Sequence, residues 1–361
     1  MPVRAEFARL LASGQETGAG LAVIHDGRIV ADLYGGWADT ARTRPWDART
    51  VVNSFSISKA VIAVALLVLV DRGQVGLDEP VCRYWPEFAS HGKRAITVRQ
   101  ALSHQAGLPA FVHPHPAEAA ADWRSLTRDL EDAEPEWAPG TAHAEHAWTY
   151  GHLVGEIIRR VDGRMPGRFL ADEVADPWDL NLALGLDASM QQRAAELEYG
   201  DPQWTHRLSG PPGSLRYRAV TNPEGWLTLP VLNSPVWRAA QVPAGNIHLS
   251  AMACARLYAG LLAGGTLDGV RLLSADLVAQ LSRVHAQGPD LLLGRSVRWG
   301  LGVQIEPERG EWGMGGISGS YAFTRPGLGY SFAFLTRRLD DYRRVLALTA
   351  TVNACLRDGA T

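Results

Sequence analysis

The chain has few cysteines, little net charge and no long apolar run, and each of these absences excludes a class of protein. Its three cysteines are far apart, so we expect a reducing compartment with neither a disulfide framework nor a cysteine metal site. A net charge of −3 gives no general attraction to nucleic acid or anionic lipid. The apolar run over residues 60–70 is shorter than the roughly 20 residues that cross a bilayer. Because Met1–Glu6 also lacks the basic start of a secretion signal, we expect a soluble, cytoplasmic protein without nucleic-acid or membrane partners.

Lysine is scarce, since Lys59 and Lys93 are the two lysines among 35 Lys+Arg residues. Lys59 follows Ser56 by three residues, a spacing that places both side chains on one helix face. A lysine packed among apolar residues loses hydration, which disfavours its charged form and lets it remove the proton of a serine hydroxyl. Arginine could not serve as this base, because it does not give up its proton. The alternative is a lysine that reaches from the helix start to solvent.

Strand patterns at both ends of the chain surround a long helical middle. The predicted strands are 20–25, 28–34, 297–305, 320–324 and 330–336, with a hairpin turn at Asp26-Gly27. The predicted helices are 5–13, 56–71, 97–102, 117–131, 148–161, 249–264, 274–283 and 341–356, with connecting segments over 199–247. This pattern favours an α+β fold in which residues 1–75 and 296–361 form an antiparallel sheet subdomain with terminal helices. Residues 76–295 then form a helical subdomain, and the active site lies between the two parts of one structural unit.

Several short motifs occur in an order that resembles a known superfamily. The motifs are Ser56-Ile57-Ser58-Lys59, 102–109 (LSHQAGLP), 149–156 (TYGHLVGE), 237–246 (WRAAQVPAGN), Trp299-Gly300-Leu301-Gly302 and 315–320 (GGISGS). Together they resemble the serine β-lactamase and penicillin-binding-protein superfamily, most closely its class C-like (family VIII) esterases and LACTB-like serine hydrolases. The resemblance covers nearly the whole chain and implies an acyl-enzyme on Ser56 with Lys59 as base. It also implies an oxyanion hole formed by the backbone N–H groups of Ser56 and Ile317.

The second motif of this superfamily, Tyr-x-Asn or Tyr-His-Ala, corresponds here to Glu145-His146-Ala147. Glu145 therefore stands where the resemblance implies a proton-carrying tyrosine. It either holds Lys59 protonated, which would prevent Lys59 from acting as a base, or is itself the base or the acid for the leaving group. In a further alternative Glu145 is a solvated loop residue, and Tyr150 or His146 acts instead.

The third motif, Lys-Thr-Gly or His-x-Gly, corresponds to Met314-Gly315-Gly316, so its cation is missing. That cation helps to hold a substrate carboxylate, and its loss favours a small neutral ester, amide or thioester. Besides these three residues, His146, Tyr150 and Asn246 are the candidates for the substrate cleft. We expect no metal and no cofactor, because no histidine cluster has ligand spacing and Gly315–Gly319 is not followed by a phosphate-loop lysine.

Two functions therefore remain open after the sequence alone. The leading hypothesis is a serine hydrolase or acyltransferase that transfers an acyl group from Ser56 to water or to a second substrate. The alternative is a catalytically silent binding or scaffold protein on the same fold, which the loss of the tyrosine and the cation favours. The sequence does not separate the two acceptors and does not predict the oligomeric state.

Overall fold

The computed structural model describes residues 2–357, and its central element is an antiparallel sheet of eight strands. Seven further short strands form small separate sheets. In chain order, the strands of the described residues are β1 (Gly18–His25), β2 (Arg28–Gly36), β3 (Val52–Asn53), β4 (Leu182–Ala183), β5 (Glu198–Tyr199), β6 (His248–Leu249), β7 (Thr266–Leu267), β8 (Val270–Arg271), β9 (Ala286–Pro289), β10 (Ser296–Trp299), β11 (Gln304–Glu306), β12 (Glu311–Gly315), β13 (Tyr321–Arg325), β14 (Tyr330–Thr336) and β15 (Arg338–Leu339). The spatial order of the main sheet is β2-β1-β14-β13-β12-β11-β10-β9. Strands from the two ends of the chain meet where β1 pairs with β14.

The two faces of this sheet differ in side-chain size. Ala22, Ala333 and Ala322 lie side by side across β1, β14 and β13. They belong to the large cluster on the face that contacts the helical part of the chain. Because side chains alternate along a strand, Phe332 and Phe334 point to the other face, which is covered by the first and last helices. Small residues on one face thus allow a helix to pack closely, while aromatic residues fill the other.

The helices surround one apolar helix that runs through the centre of the molecule. They are α1 (Pro2–Ala12), α2 (Ile57–Asp71), α3 (Val98–Leu102), α4 (Trp123–Asp132), α5 (Thr149–Asp162), α6 (Pro166–Leu170), α7 (Ala188–Arg193), α8 (Trp204–Ser209), α9 (Leu215–Thr221), α10 (Leu229–Leu232), α11 (Pro235–Ala239), α12 (Ala251–Leu262), α13 (Ala275–Leu281) and α14 (Arg343–Arg357). All of α2 from Ile57 to Leu69 is buried between β12 and α5. Each buried Val, Leu or Ile there contributes about 1.5–3 kcal/mol, which offsets the cost of enclosing Lys59, the one charged side chain in the stretch.

The α+β fold predicted from the sequence is confirmed, and three local predictions are wrong. The strand expected over 297–305 is two strands, β10 and β11, because the chain turns at Gly302 with φ +82°. The helix expected over 117–131 is a 3₁₀ turn, Ala117–Ala121, followed by α4. The segment 199–247, expected to be connections, contains α8 to α11, each of seven residues or fewer. Such helices are too short to show a full helical period in the sequence.

The division into subdomains at residues 75 and 296 stays a prediction. Two further findings concern helix length and the cysteines. Within residues 2–357, no helix combines the length and the apolar character that a bilayer span requires. The three cysteines are unpaired, and Cys254 is buried in α12.

Candidate active site

Three polar side chains meet at the start of α2. Lys59 Nζ lies 2.7 Å from Ser56 Oγ and 3.0 Å from Glu145 Oε1. Ser56 Oγ lies 3.3 Å from the same carboxylate oxygen. Lys59 is 1% exposed and Glu145 is 9% exposed, so each charge is shielded from water and depends on the other for compensation. The serine hydroxyl therefore has an amine and a carboxylate within hydrogen-bond reach.

A strained turn and a hydrogen-bond network hold Ser56 at this position. Phe55, directly before it, has φ +50°, a left-handed conformation that is unfavourable for an aromatic residue. Ser54 Oγ donates a hydrogen bond of 2.7 Å to the Ile247 carbonyl. The Ile247 N–H donates to Ser58 Oγ at 3.1 Å, and the two serine hydroxyls are 2.9 Å apart. The start of α2 is thus fixed on both sides of Ser56 to the segment around β6.

Asp290 holds the backbone of Glu145. Asp290 Oδ1 accepts the N–H of Glu145 at 3.2 Å, and also accepts the N–H groups of Leu292 and Leu293 at 3.0 and 2.9 Å. Its Oδ2 accepts the indole N–H of Trp299 at 3.0 Å. Burial raises the pKa of Asp290, and the negative charge of Glu145 adds to that increase. Asp290 could not be found from the sequence, because it lies in no motif and 145 residues separate it from Glu145.

Two backbone amides in the cavity wall have no hydrogen-bond acceptor among the described residues. A side chain at Gly316 would place its Cβ 2.6 Å from the carbonyl oxygen of Ser54, so the end of β12 can approach the start of α2 only with glycine there. This approach brings Ile317 into the same cavity wall as Ser56. Among residues 2–357, neither the Ser56 N–H nor the Ile317 N–H has a hydrogen-bond acceptor. Both are available to an oxygen that becomes negatively charged beside Ser56.

Ser56 and Glu145 lie between an inner and an outer cavity. The inner cavity has a volume of about 70 Å³. Its apolar walls come mainly from Trp148, Leu208, Val220, Leu227, Leu292 and Leu293. The outer cavity is open to solvent, has a volume of about 650 Å³ and is lined by charged residues of both signs, including Arg207, Arg216, Arg295, Glu306 and Asp340. A substrate at Ser56 would thus have one small apolar subsite and one large polar subsite.

Met314 and Gly315 line the outer cavity, whereas Gly316, the third residue of their motif and also predicted at the cleft, lines neither cavity. Met314 is 2% exposed and supplies no charge where related motifs carry a cation. The space beside Gly315 is occupied by Tyr342, whose hydroxyl oxygen would be 2.7 Å from a Cβ at this glycine. Tyr342 lies just before α14 and was not identified from the sequence.

Tyr150 and Asn246, two predicted cleft residues, do not line either cavity. Tyr150 is fully buried in α5 and its hydroxyl donates to the Leu102 carbonyl at 3.3 Å. The Asn246 side chain donates to the carbonyls of Trp237 and Ala240 at 2.9 and 3.0 Å, which holds the turn before β6. Both positions are therefore structural in this fold, and their assignment to the cleft is corrected.

His146, also predicted at the cleft, points away from it although it follows Glu145 in the chain. Its Nδ1 lies 2.8 Å from the Ala144 carbonyl, and its Nε2 accepts the N–H of Leu108 at 3.1 Å. This pairing requires the neutral imidazole with its proton on Nδ1. Burial, and to a lesser degree the positive charge of Lys59, lowers the pKa of His146 to about 4. His146 therefore stabilises the loop that carries Glu145.

The buried histidines predict a protein that is destabilised by acid. Burial lowers the pKa of His104, and it lowers those of His146, His152 and His248 to about 4, 3 and 3. As the pH falls below about 6.5, these histidines bind protons in the unfolded chain but stay neutral in the folded chain. The free energy of unfolding therefore falls until the pH reaches the folded pKa values. Each histidine adds about 1.4 kcal/mol per pH unit to this slope.

Urea denaturation at several pH values between 7.5 and about 4.5 would measure that slope. His152 packs between the rings of Phe111 and Trp123, so His152→Phe keeps an aromatic ring without the titrating group. We expect this variant to lose about 1.4 kcal/mol per pH unit of the slope. An unchanged slope would show that His152 does not contribute.

Comparisons with known proteins identify the family to which the chain belongs. A family model described as Beta-lactamase matches residues 3–353. The esterase/beta-lactamase LipL of Mycobacterium tuberculosis is 33% identical over 352 residues, which cover 92% of this chain and 80% of LipL. The chain therefore belongs to the Beta-lactamase family, and the resemblance inferred from its motifs is confirmed.

Solved structures agree with this assignment. A family VIII carboxylesterase superposes with a TM-score of 0.89 at 33% identity and covers 98% of this chain and 96% of its own. A penicillin-binding protein homologue from Caulobacter crescentus has a TM-score of 0.85 at 34% identity, with the same coverage of both chains. The fold is thus shared over nearly the whole chain by proteins described as an esterase and as a penicillin-binding protein homologue.

Proposed function

We propose that the protein is a serine acyl-transfer enzyme that forms an acyl-enzyme on Ser56. The observation that carries this proposal is the buried amine of Lys59, which lies within 3.0 Å of both Ser56 Oγ and Glu145 Oε1. A hydroxyl becomes a strong nucleophile when an adjacent group accepts its proton. The similarity to an esterase/beta-lactamase and to a family VIII carboxylesterase supports hydrolase chemistry of this type.

In the proposed acylation, Ser56 Oγ forms a bond to the carbonyl carbon of the substrate. Lys59 takes the hydroxyl proton and passes one of its own protons to Glu145, so Lys59 stays positively charged and Glu145 becomes neutral. The Ser56 and Ile317 N–H groups stabilise the oxyanion. When the bond to the leaving group breaks, Glu145 returns the proton to that group. Glu145 thereby performs the proton transfers for which related motifs carry a tyrosine.

In the proposed deacylation, the same carboxylate accepts a proton from the incoming acceptor. The acceptor, which is water or the hydroxyl or amine of a second substrate, attacks the acyl carbon, and the proton returns to Ser56 through Lys59. The open outer cavity has room for an acceptor larger than water. The part of the outer cavity wall that Met314 forms has no cation. This favours a substrate that carries no negative charge where it contacts Met314, namely a neutral ester, amide or thioester.

The inner cavity predicts a preference for short acyl groups. Its volume of about 70 Å³ is about one ninth of the 650 Å³ of the outer cavity, so it suits a short acyl chain better than a long one. We therefore expect kcat/KM for 4-nitrophenyl acetate or butyrate to exceed that for the octanoate by about tenfold or more. Leu227→Ala should reduce this preference by enlarging the cavity, whereas Leu348→Ala, a truncation on the opposite face of the sheet, should not. A wild-type preference for octanoate would contradict the assignment of the inner cavity to the acyl chain.

Covalent labelling separates the proposed enzyme from a catalytically silent binding protein. After exposure to a fluorophosphonate, intact-mass spectrometry of the wild type should show one adduct, and peptide mapping should place it on Ser56. Ser58 is a matched control, because its hydroxyl lies on the same helix but is engaged by the Ile247 N–H. We expect Ser58→Ala to label and Ser56→Ala to remain unlabelled. A wild type that forms no adduct would support the binding protein instead.

A further inference from the structure

The segment that supplies one oxyanion donor is held at two successive peptide groups by side chains outside the catalytic motifs. The hydroxyl of Tyr342 donates to the carbonyl oxygen of Gly316 at 3.0 Å. The indole N–H of Trp204 donates to the carbonyl oxygen of Ile317 at 2.9 Å. Tyr342 precedes α14 and Trp204 begins α8, so the segment after β12 is fixed by two distant parts of the chain.

The hydroxyl of Tyr342 acts on the same peptide group that carries the Ile317 N–H. The carbonyl of Gly316 and the amide of Ile317 are the two ends of one peptide bond. A hydrogen bond to such a carbonyl polarises the peptide and makes its N–H a stronger donor. It also fixes the plane of the peptide, and therefore the direction in which the N–H points.

The surroundings of Tyr342 favour its hydrogen bond to the Gly316 carbonyl. The absence of a side chain at Gly315 leaves room for the tyrosine, whose hydroxyl oxygen would be 2.7 Å from a Cβ there. Desolvation of the hydroxyl, and secondly the negative charge of Glu145, raises the pKa of Tyr342 above its usual value, although 39% of the residue's surface is exposed. The hydroxyl thus stays protonated at neutral pH and can donate to the Gly316 carbonyl.

Trp204 is also fixed in position by the residues around it. It is 2% exposed, and its ring packs edge-on against Phe55, the residue before the nucleophile, with 6.0 Å between the ring centres. One tryptophan therefore contacts both segments that supply oxyanion donors, the turn before Ser56 and the segment at Ile317.

We propose that Tyr342 and Trp204 are positioning residues for the oxyanion hole. Tyr342 acts through the Gly316–Ile317 peptide, and Trp204 acts through the carbonyl of Ile317 in the next peptide, so the two hydrogen bonds fix Ile317 on both sides. The inference rests on the proposed function, because it assumes acyl transfer at Ser56. It predicts that loss of either hydrogen bond weakens stabilisation of the tetrahedral state and leaves binding of the planar substrate unchanged.

The test compares Tyr342→Phe, Trp204→Phe and wild type in hydrolysis of 4-nitrophenyl acetate and in inhibition by an alkyl boronic acid, which forms a tetrahedral adduct on a serine. We expect kcat to fall about 5- to 30-fold in each variant with KM within about twofold. The boronic acid should bind more weakly by the factor by which kcat/KM falls. Tyr330→Phe is the matched control, because it removes a buried tyrosine hydroxyl that donates to Asn353 on the other face of the sheet.

The outcomes separate the two proposals. Wild-type turnover and Ser56 labelling, with kcat and boronic acid affinity of Tyr342→Phe within twofold of wild type, would overturn this inference and leave the proposed function intact. An equal loss in Tyr330→Phe would also overturn it, because the effect would then be general destabilisation. A wild type that neither turns over nor labels would overturn both. Because Trp204→Phe tests the position of Ile317 through the adjacent peptide, a folding failure of one variant still leaves a decisive result.

Discussion

Replacing Glu145 by glutamine should reduce steady-state turnover of 4-nitrophenyl acetate by about 10³-fold. Positioned acid–base groups contribute about 10²–10⁴-fold to rates, and Glu145 is proposed to act in both acylation and deacylation. Glutamine has nearly the same shape and keeps the backbone bond to Asp290, so the loop should retain its position. Glu308→Gln is the matched control, because Glu308 pairs with Arg298 on an exposed part of the chain.

The same variant should still react at Ser56. Without the Glu145 carboxylate, a protonated Lys59 would be a buried charge without its partner, and the neutral amine becomes the favoured form. A neutral amine 2.7 Å from Ser56 Oγ can accept the hydroxyl proton by itself. We therefore expect a rapid release of one equivalent of nitrophenol followed by very slow turnover. Unchanged steady-state turnover would remove Glu145 from the mechanism.

Replacing Lys59 by arginine should also reduce turnover by about 10²–10⁴-fold, because arginine keeps the charge but does not pass on a proton. Lys59→Met removes both the charge and the proton transfer. The difference in turnover between the two variants therefore measures the contribution of the charge alone. Retained activity in Lys59→Arg would show that Lys59 is only an electrostatic partner of Glu145. Kinetics with 4-nitrophenyl acetate measure both variants.

The free energies of unfolding of these variants measure the interaction between Lys59 and Glu145 independently of activity. Removal of one partner of a buried ion pair costs about 3–5 kcal/mol. Glu145 faces the cleft and can regain water, so Lys59→Met should cost less than this. The double variant Lys59→Met/Glu145→Gln should be more stable than the sum of the single effects in urea denaturation, while remaining inactive. Additive effects would indicate that the pair does not interact in solution.

The part of the site that could be predicted from the sequence is the part that lies on one helix. Ser56 and Lys59 are one turn apart on α2, so the apolar run after them was enough to place the amine beside the hydroxyl. Glu145 could be located only by counting along a motif, and its contact with Lys59 depends on how α5 packs against α2. The roles of Ser56, Lys59 and Glu145 stay predictions until they are tested.

The residues that the sequence analysis missed or misplaced act through contacts between distant segments. Asp290 and Tyr342 are 145 and 26 residues from the backbone groups they bind, and no local pattern reports such a pairing. His146 and Tyr150 are close to Glu145 in the chain but occupy other sides of the loop and of α5. Sequence proximity therefore suggested a shared cleft, whereas the direction of each side chain decided its role.

The most direct measurement of the central claim is the mass of the Glu145→Gln variant shortly after mixing with 4-nitrophenyl acetate. If Ser56 forms an acyl-enzyme, the intact protein should gain the mass of one acetyl group, and peptide mapping should place that group on Ser56. The gain should be absent in the double variant Glu145→Gln/Ser56→Ala. An acetyl group on another residue, or no covalent acetyl group while nitrophenol is released, would contradict catalysis through Ser56.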